Sequence, residues 1–155
     1  MSSGTNQATA RVRALMERIA DAAGVDADVE IHVDGEGLTA EYVGDDLGLL
    51  IGHHGQTIDA IQHLAYRFAT QGEGERLPVV VDAAGYRERR AQTLRQTAEQ
   101  AAQMAVSDRR PVPLEAMSAL ERKVIHEHLK DRRDVETYSE GQEPSRHLVV
   151  APLVD

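Results

Sequence analysis

Two clusters of residues in this sequence have the types and spacing to grip an anion. The first is Gly52-His53-His54-Gly55. Glycines on either side of a two-residue step let the backbone turn sharply. They also let a sugar-phosphate come close, because no Cβ stands in the way. A helix following such a loop offers unpaired first-turn amides and a partial positive charge, both favourable to phosphate. The second cluster is Arg122 and His126, four residues apart and so on one face of any helix that holds them. A guanidinium fork beside an imidazole can hold a phosphate, and Lys130 adds longer-range attraction. Ser118 extends that stripe. Leu120, Val124 and Leu129 are expected on the opposite side, anchoring the helix to a sheet.

Neither cluster reads as catalytic. Glu121 and His126 could exchange protons, but no nucleophile motif, metal-ligand set or nucleotide loop accompanies them. The Gly-x-x-Gly loop lacks the Lys-Ser/Thr ending of an NTP-binding loop. Adjacent histidines on a turn rarely converge on one ion, so His53 and His54 are not expected to hold a metal. The expectation is a binding protein, not an enzyme, with no cofactor and no metal.

The elements that must position these residues follow from hydrophobic periodicity. Residues 1–8 are small and polar and are expected to be disordered. Val12, Leu15, Ile19 and Ala22 recur at helical spacing up to a stop at Gly24. Val29, Ile31 and Val33 alternate with polar residues as a strand, and Asp34-Gly35-Glu36-Gly37 is a hairpin signal leading to a second strand through Tyr42. A short apolar segment, Leu47 to Ile51, runs into the Gly-x-x-Gly loop. Ile58, Ile61, Leu64, Ala65 and Phe68 then mark an amphipathic helix ended by Gly72 and Gly74. Leu77 to Asp82 predicts a third strand, with Pro78 suited to a strand start or an exposed edge.

Gly85 opens a long helix to about Val106, and Arg109-Arg110-Pro111 breaks it. Val112 to Met117 is expected as a short strand, and Ser118-Ala119-Leu120-Glu121 as a capping box starting a helix to about Lys130. Val135 to Ser139 and His147 to Val150 close the pattern around a turn at residues 140–144. The fold class is therefore α+β: an α-β-β-α-α-β domain over residues 9–84, a linking helix at 85–110 that starts the second module, and a small β-α-β-β domain at 111–155.

Composition bounds what these modules can do. With 155 residues, 41% of them hydrophobic, the chain can build two small cores, and with one Phe, four Tyr and no Trp those cores must be aliphatic. The absence of cysteine excludes disulfides, thiolate metal sites and cysteine nucleophiles. No apolar run of signal or membrane-spanning length is present, so a cytoplasmic protein with no membrane association is expected. The net charge of −9 is unevenly spread. Residues 26–83 carry twelve Asp/Glu against Arg67 and Arg76, a balance of −10, whereas residues 84–155 carry twelve of each sign. A phosphate-binding face is therefore expected in the second half.

Position strengthens both motifs. Gly-x-x-Gly after two strands and before an amphipathic helix matches the KH module, whose loop clamps the backbone of single-stranded nucleic acid. An Arg-x-x-x-His pair alone is an ordinary solvated face, but here Tyr138-Ser139-Glu140-Gly141, Glu143-Pro144 and Arg146 follow it in an unusual turn. The chain resembles the bacterial Jag (KhpB, or SpoIIIJ-associated) family, which joins a KH domain to an Arg-x-x-x-His domain. Four blocks carry the resemblance: residues 48–60, 85–90, 121–126 and 137–141. It implies RNA-backbone contact at Gly52, His53, His54 and Gly55, a namesake pair at Arg122 and His126, and a supporting cation at Arg146. It also implies a regulator of cell-envelope growth and division, partnered with single-stranded RNA and with a small KH-domain protein or a second copy of itself, DNA remaining an alternative ligand. The further N-terminal domain that many members carry is not expected here. One departure stands out: such loops commonly place Lys or Arg between the glycines, where this chain has histidines. Weak or pH-sensitive RNA contact is expected from the loop, tighter near pH 6 than pH 8. The competing reading is an interaction module whose acidic half dimerises with another KH protein.

Overall fold

The computed structural model describes residues 3–71 and 76–153 and divides into two compact units, Met1–Arg87 and Glu88–Asp155. Gly72 and Gly74, read as the stop after the amphipathic helix, lie outside the described residues.

In the first unit the order is α1 (Ser3–Ala23), β1 (Asp28–Asp34), β2 (Gly37–Val43), α2 (Gly48–Ile51), a single 3-10 turn (His53–Gly55), α3 (Gln56–Ala69) and β3 (Val79–Ala83). The expected α-β-β-α-α-β order is present. α1 starts earlier than expected, at Ser3 within the segment read as disordered. Ala8 is buried one turn ahead of Val12, and Thr9 Oγ1 bonds the Thr5 carbonyl, so the helix gains packing and a local bond there. β1 pairs antiparallel with β2, and β2 pairs parallel with β3. Because side chains alternate along a strand, Leu38, Ala40 and Tyr42 share a face with their register partners Val79, Val81 and Ala83. That face meets Val12, Met16 and Ala20 of α1 and Ile58, Ile61 and Ala65 of α3 in one core. Tyr42, fully buried, donates its hydroxyl to the Met16 carbonyl at 2.6 Å, and burial raises its pKa well above the ordinary range. Pro78 stands just ahead of β3 at the sheet edge.

The second unit holds most of α4 (Tyr86–Asp108), then β4 (Val112–Ala116), α5 (Ala119–Leu129), β5 (Val135–Glu140) and β6 (His147–Pro152), with sheet order β4-β6-β5, all antiparallel. The helix read as a linker is part of this core from Leu94 onward. Leu94, Ala98, Ala101, Ala102 and Ala105 form one buried stripe against Ile125, Leu129, Val135, Leu148 and Val150. Its small residues let the helix lie close to its neighbours. Central β6 buries Leu148 to Ala151 without interruption, and Pro113, which cannot donate to a ladder, sits on edge strand β4.

Candidate nucleic-acid interface

In the first unit the Gly-x-x-Gly loop is a tight corner. Gly52 caps α2 with φ 74° and donates its N–H to the Gly48 carbonyl at 2.9 Å, and Gly55 takes φ 79°. Both angles lie in the left-handed region that favours glycine. A Cβ on Gly52 would come within 2.1 Å of Thr57 Oγ1, so this glycine also lets α3 close on the loop. His53 and His54 sit between them with rings stacked at 3.9 Å. No side chain caps the start of α3, which leaves its first-turn amides to backbone or solvent.

In the second unit, Ser118 starts α5 by accepting the Glu121 N–H on its hydroxyl at 3.3 Å. Ser118 therefore serves as a cap. The Glu121 carboxylate instead meets Arg90 Nε at 2.7 Å, with only 19% and 15% of the Arg90 and Glu121 side chains exposed.

The expected orientation of α5 needs correcting. Arg122 is buried, together with Ile125 and Leu129, while Leu120 is 71% exposed and Val124 half-buried. The face that packs runs through positions 122, 125 and 129, a helical i, i+3, i+7 stripe. Arg122 can join it because its methylene stem is apolar and only its head must find polar company. One terminal nitrogen donates to Glu143 Oε1 at 2.5 Å. Nε is buried and has no hydrogen-bond partner among the described residues.

Arg122 forms part of a groove with Ala119, Lys123 and His126 of α5. Thr137, Tyr138 and Ser139 of β5 and Leu148 of β6 complete it, and the cavity volume is about 320 Å3. His126 is exposed, with Nδ1 2.5 Å from the Thr137 hydroxyl, which fixes the ring's direction. The groove has a cationic side from Arg122 and Lys123, a hydroxyl side from Thr137 and Ser139, and an exposed tyrosine ring. Such a lining can hold an anionic, planar-bearing ligand such as a nucleotide.

Two other expected cations lie outside this groove. Lys130 pairs with Glu127 at 2.8 Å, and that hydrogen bond holds the Glu127 carboxyl below its ordinary range. Arg146 donates to the Gly141 carbonyl at 2.7 Å, closing its own turn. Lys123, Thr137, Tyr138 and Ser139 were not singled out as binding residues from sequence. The block at residues 137–141 was the signal that could have found the last three. Among the described residues no group of three or more His, Asp or Glu could hold a metal ion, and no helix is long and apolar enough to cross a membrane.

An α-β-β-α-α-β unit turning on Gly-x-x-Gly, with an Arg-x-x-x-His pair beside a groove in a second α+β unit, defines a tandem of two binding modules. The family model described as KhpA/KhpB, KH domain, matches residues 9–81, and that for the Arg-x-x-x-His domain matches residues 92–152. The chain belongs to the Jag, or KhpB, family, which joins these two domains. It is 40% identical over 128 residues to the RNA-binding protein KhpB of Lactiplantibacillus plantarum, covering 83% of this chain and 40% of that protein. It is 36% identical over 138 residues to a protein of the same name from Clostridium symbiosum, covering 88% and 62%. The KhpB protein of Bacillus subtilis is 33% identical over 138 residues, covering 88% and 66%. The chain thus spans between 40% and 66% of the length of these relatives.

Proposed function

We propose that this chain is a non-enzymatic, cytoplasmic regulator that binds single-stranded RNA along its sugar-phosphate backbone. Arg122, Lys123 and His126 take a phosphate in the groove of the second unit, and Gly52 to Gly55 approach the backbone in the first. The observation that carries this reading is the state of Arg122. Its guanidinium lies at a groove with Nε buried and without a partner among the described residues. An orphaned buried donor costs the free protein on the order of 1–3 kcal/mol. A modest shift of the side chain toward a bound phosphate oxygen would relieve that cost. The name RNA-binding protein, carried by the relatives, favours RNA over DNA. Lys130 and Arg146, already engaged by Glu127 and Gly141, supply general attraction at most.

The test is fluorescence anisotropy of a labelled single-stranded RNA at low salt, with wild type, Arg122→Ala and Gly52→Asp. Loss of affinity in a variant that remains folded supports a nucleic-acid module and shows which unit dominates. Absence of binding by wild type to diverse RNA and DNA pools would overturn the reading. A protein-interaction role would then come first, favoured by the acidic first unit and by Leu64 and Phe68, 44% and 37% exposed at i, i+4 on α3. Its partner would be a small KH-domain protein or a second copy of the chain.

A further inference from the structure

The first unit ends at Arg87, six residues past the stretch that matches the KH family model (87 − 81 = 6). Within that extension Tyr86 reaches back to the Gly-x-x-Gly loop. A Cβ on Gly55 would stand 2.6 Å from Tyr86 Cε1, 3.2 Å from its hydroxyl oxygen and 3.3 Å from Cζ. The phenolic end of Tyr86 therefore rests directly on the α-carbon of the loop's second glycine. Thr57 closes the loop from the Gly52 side and Tyr86 from the Gly55 side. Between them His54 holds φ 51°, a left-handed conformation that a non-glycine residue keeps only where its surroundings over-determine it.

The mount for Tyr86 is firm. Ala84 and Gly85 turn the chain from β3 into α4 with φ of 48° and 67°. Ala84 N–H reaches the Tyr42 carbonyl at 3.2 Å, and Gly85 N–H reaches Glu41 Oε1 at 2.9 Å. On the other side, Arg87 donates through Nε to the Val81 carbonyl at 2.8 Å, and through its terminal nitrogens to Asp59 at 2.7 Å and Gln62 at 3.1 Å. Asp59 and Gln62 lie in the first half of α3, the helix that follows the loop. Arg87 thus fixes the helix while its neighbour Tyr86 fixes the loop.

We infer that Tyr86 is a positioning residue for nucleic-acid binding: its ring seats Gly55 and sets the backbone shape that the Gly-x-x-Gly loop presents to a sugar-phosphate. This rests on the reading of the loop as a nucleic-acid contact. It makes the second glycine necessary for a second reason, as the space the ring occupies.

The experiment uses the full chain with Tyr86→Ala, Tyr86→Leu and Tyr86→Phe. Three things are measured: amide chemical shifts of residues 52–57, affinity for a labelled single-stranded RNA, and thermal melting. Tyr86→Ala is expected to move the His53, His54 and Gly55 amides and to weaken RNA binding at least about tenfold, equivalent to about 1.4 kcal/mol. Tyr86→Phe, which keeps the ring, is expected to restore both. Tyr86→Leu keeps apolar volume without the ring and covers the case in which the alanine variant fails to fold. Adding Gly52→Asp to Tyr86→Ala should weaken binding no further than Gly52→Asp alone, since both act through one loop. Unmoved loop amides in a folded ring-less variant overturn the inference. So do moved amides with unchanged RNA affinity where Gly52→Asp weakens binding. If Gly52→Asp itself leaves affinity unchanged, the reading of the loop fails, and a binding role for Tyr86 fails with it.

Discussion

Replacing Arg122 with alanine is expected to weaken binding of single-stranded RNA by about 10- to 150-fold. The magnitude follows from how the side chain is held. One terminal nitrogen is committed to Glu143, and Nε has no partner among the described residues. Engagement of a phosphate therefore adds about one charge-assisted hydrogen bond. Such a bond contributes about 1.5–3 kcal/mol, and each 1.4 kcal/mol is about tenfold in affinity. Removing one phosphate contact should also flatten the dependence of log K on log salt by about 0.7 for a single strand. Stability should change little in comparison, because Glu143 is 60% exposed and returns to water when its partner leaves, and the orphaned Nε is removed. Anisotropy titrations at several salt concentrations, with circular-dichroism melts on the same samples, measure all three quantities. Arg122→Lys is the informative companion: it should recover the salt slope but not the full affinity, since an ammonium lacks the planar fork. An unchanged dissociation constant would refute the reasoning. So would a large loss of affinity with an unaltered salt slope, which would place Arg122 in folding and not in phosphate contact.

Further outcomes follow from other residues. Lys123→Ala should lower affinity uniformly across RNA sequences and reduce the salt slope by about 0.7, as read by the same titrations. Tyr42→Phe removes the hydroxyl that bonds the Met16 carbonyl inside the first core; it should cost about 1 kcal/mol and lower the melting of a unit this size by about 4–8 °C. Asp134 is held below the ordinary carboxylate range, chiefly by its hydrogen bond with Arg132. A depressed folded pKa contributes stability that is present above the unfolded value and lost as pH falls through the folded one. Acid titration of melting should therefore show a loss setting in below the ordinary carboxylate range, and Asp134→Asn should make that loss shallower.

Much of the fold was legible because it is written in local periodicity. Val29 to Tyr42 alternate around a glycine turn, and Ile58 to Phe68 repeat at helical spacing, so strands, hairpin and helix could be placed from sequence. What periodicity does not say is which side of a helix wins the core. On α5 both the 120-124 pair and the 122-125-129 stripe are plausible packing faces, and the second prevails because Arg122 contributes a long apolar stem. An arginine counts as polar in a sequence pattern, so its burial was invisible there. Lys130 and Arg146 were read by their charge, whereas Glu127 and the Gly141 carbonyl decide where their heads go. The contact of Tyr86 with Gly55 is a tertiary event made by the crossover from β3 into α4, and no spacing rule connects the two positions.

The boundary between the two units falls between Arg87 and Glu88, inside α4 and not in a loop. Dissection of the protein has no natural place to cut. Proteases prefer exposed loop tips, and a helical turn bonded through its backbone is a poor substrate. Fragments drawn at the ends of the two matched stretches, residues 81 and 92, would each lose something built into residues 82–91. The first would end without Tyr86 and Arg87, leaving Gly55, Asp59 and Gln62 without their contacts. The second would begin without Arg90, stranding a mostly buried Glu121 carboxylate beside Arg122. A segment that looks like spacer is a shared component, and a fragment meant to isolate either module needs to carry its own copy of it.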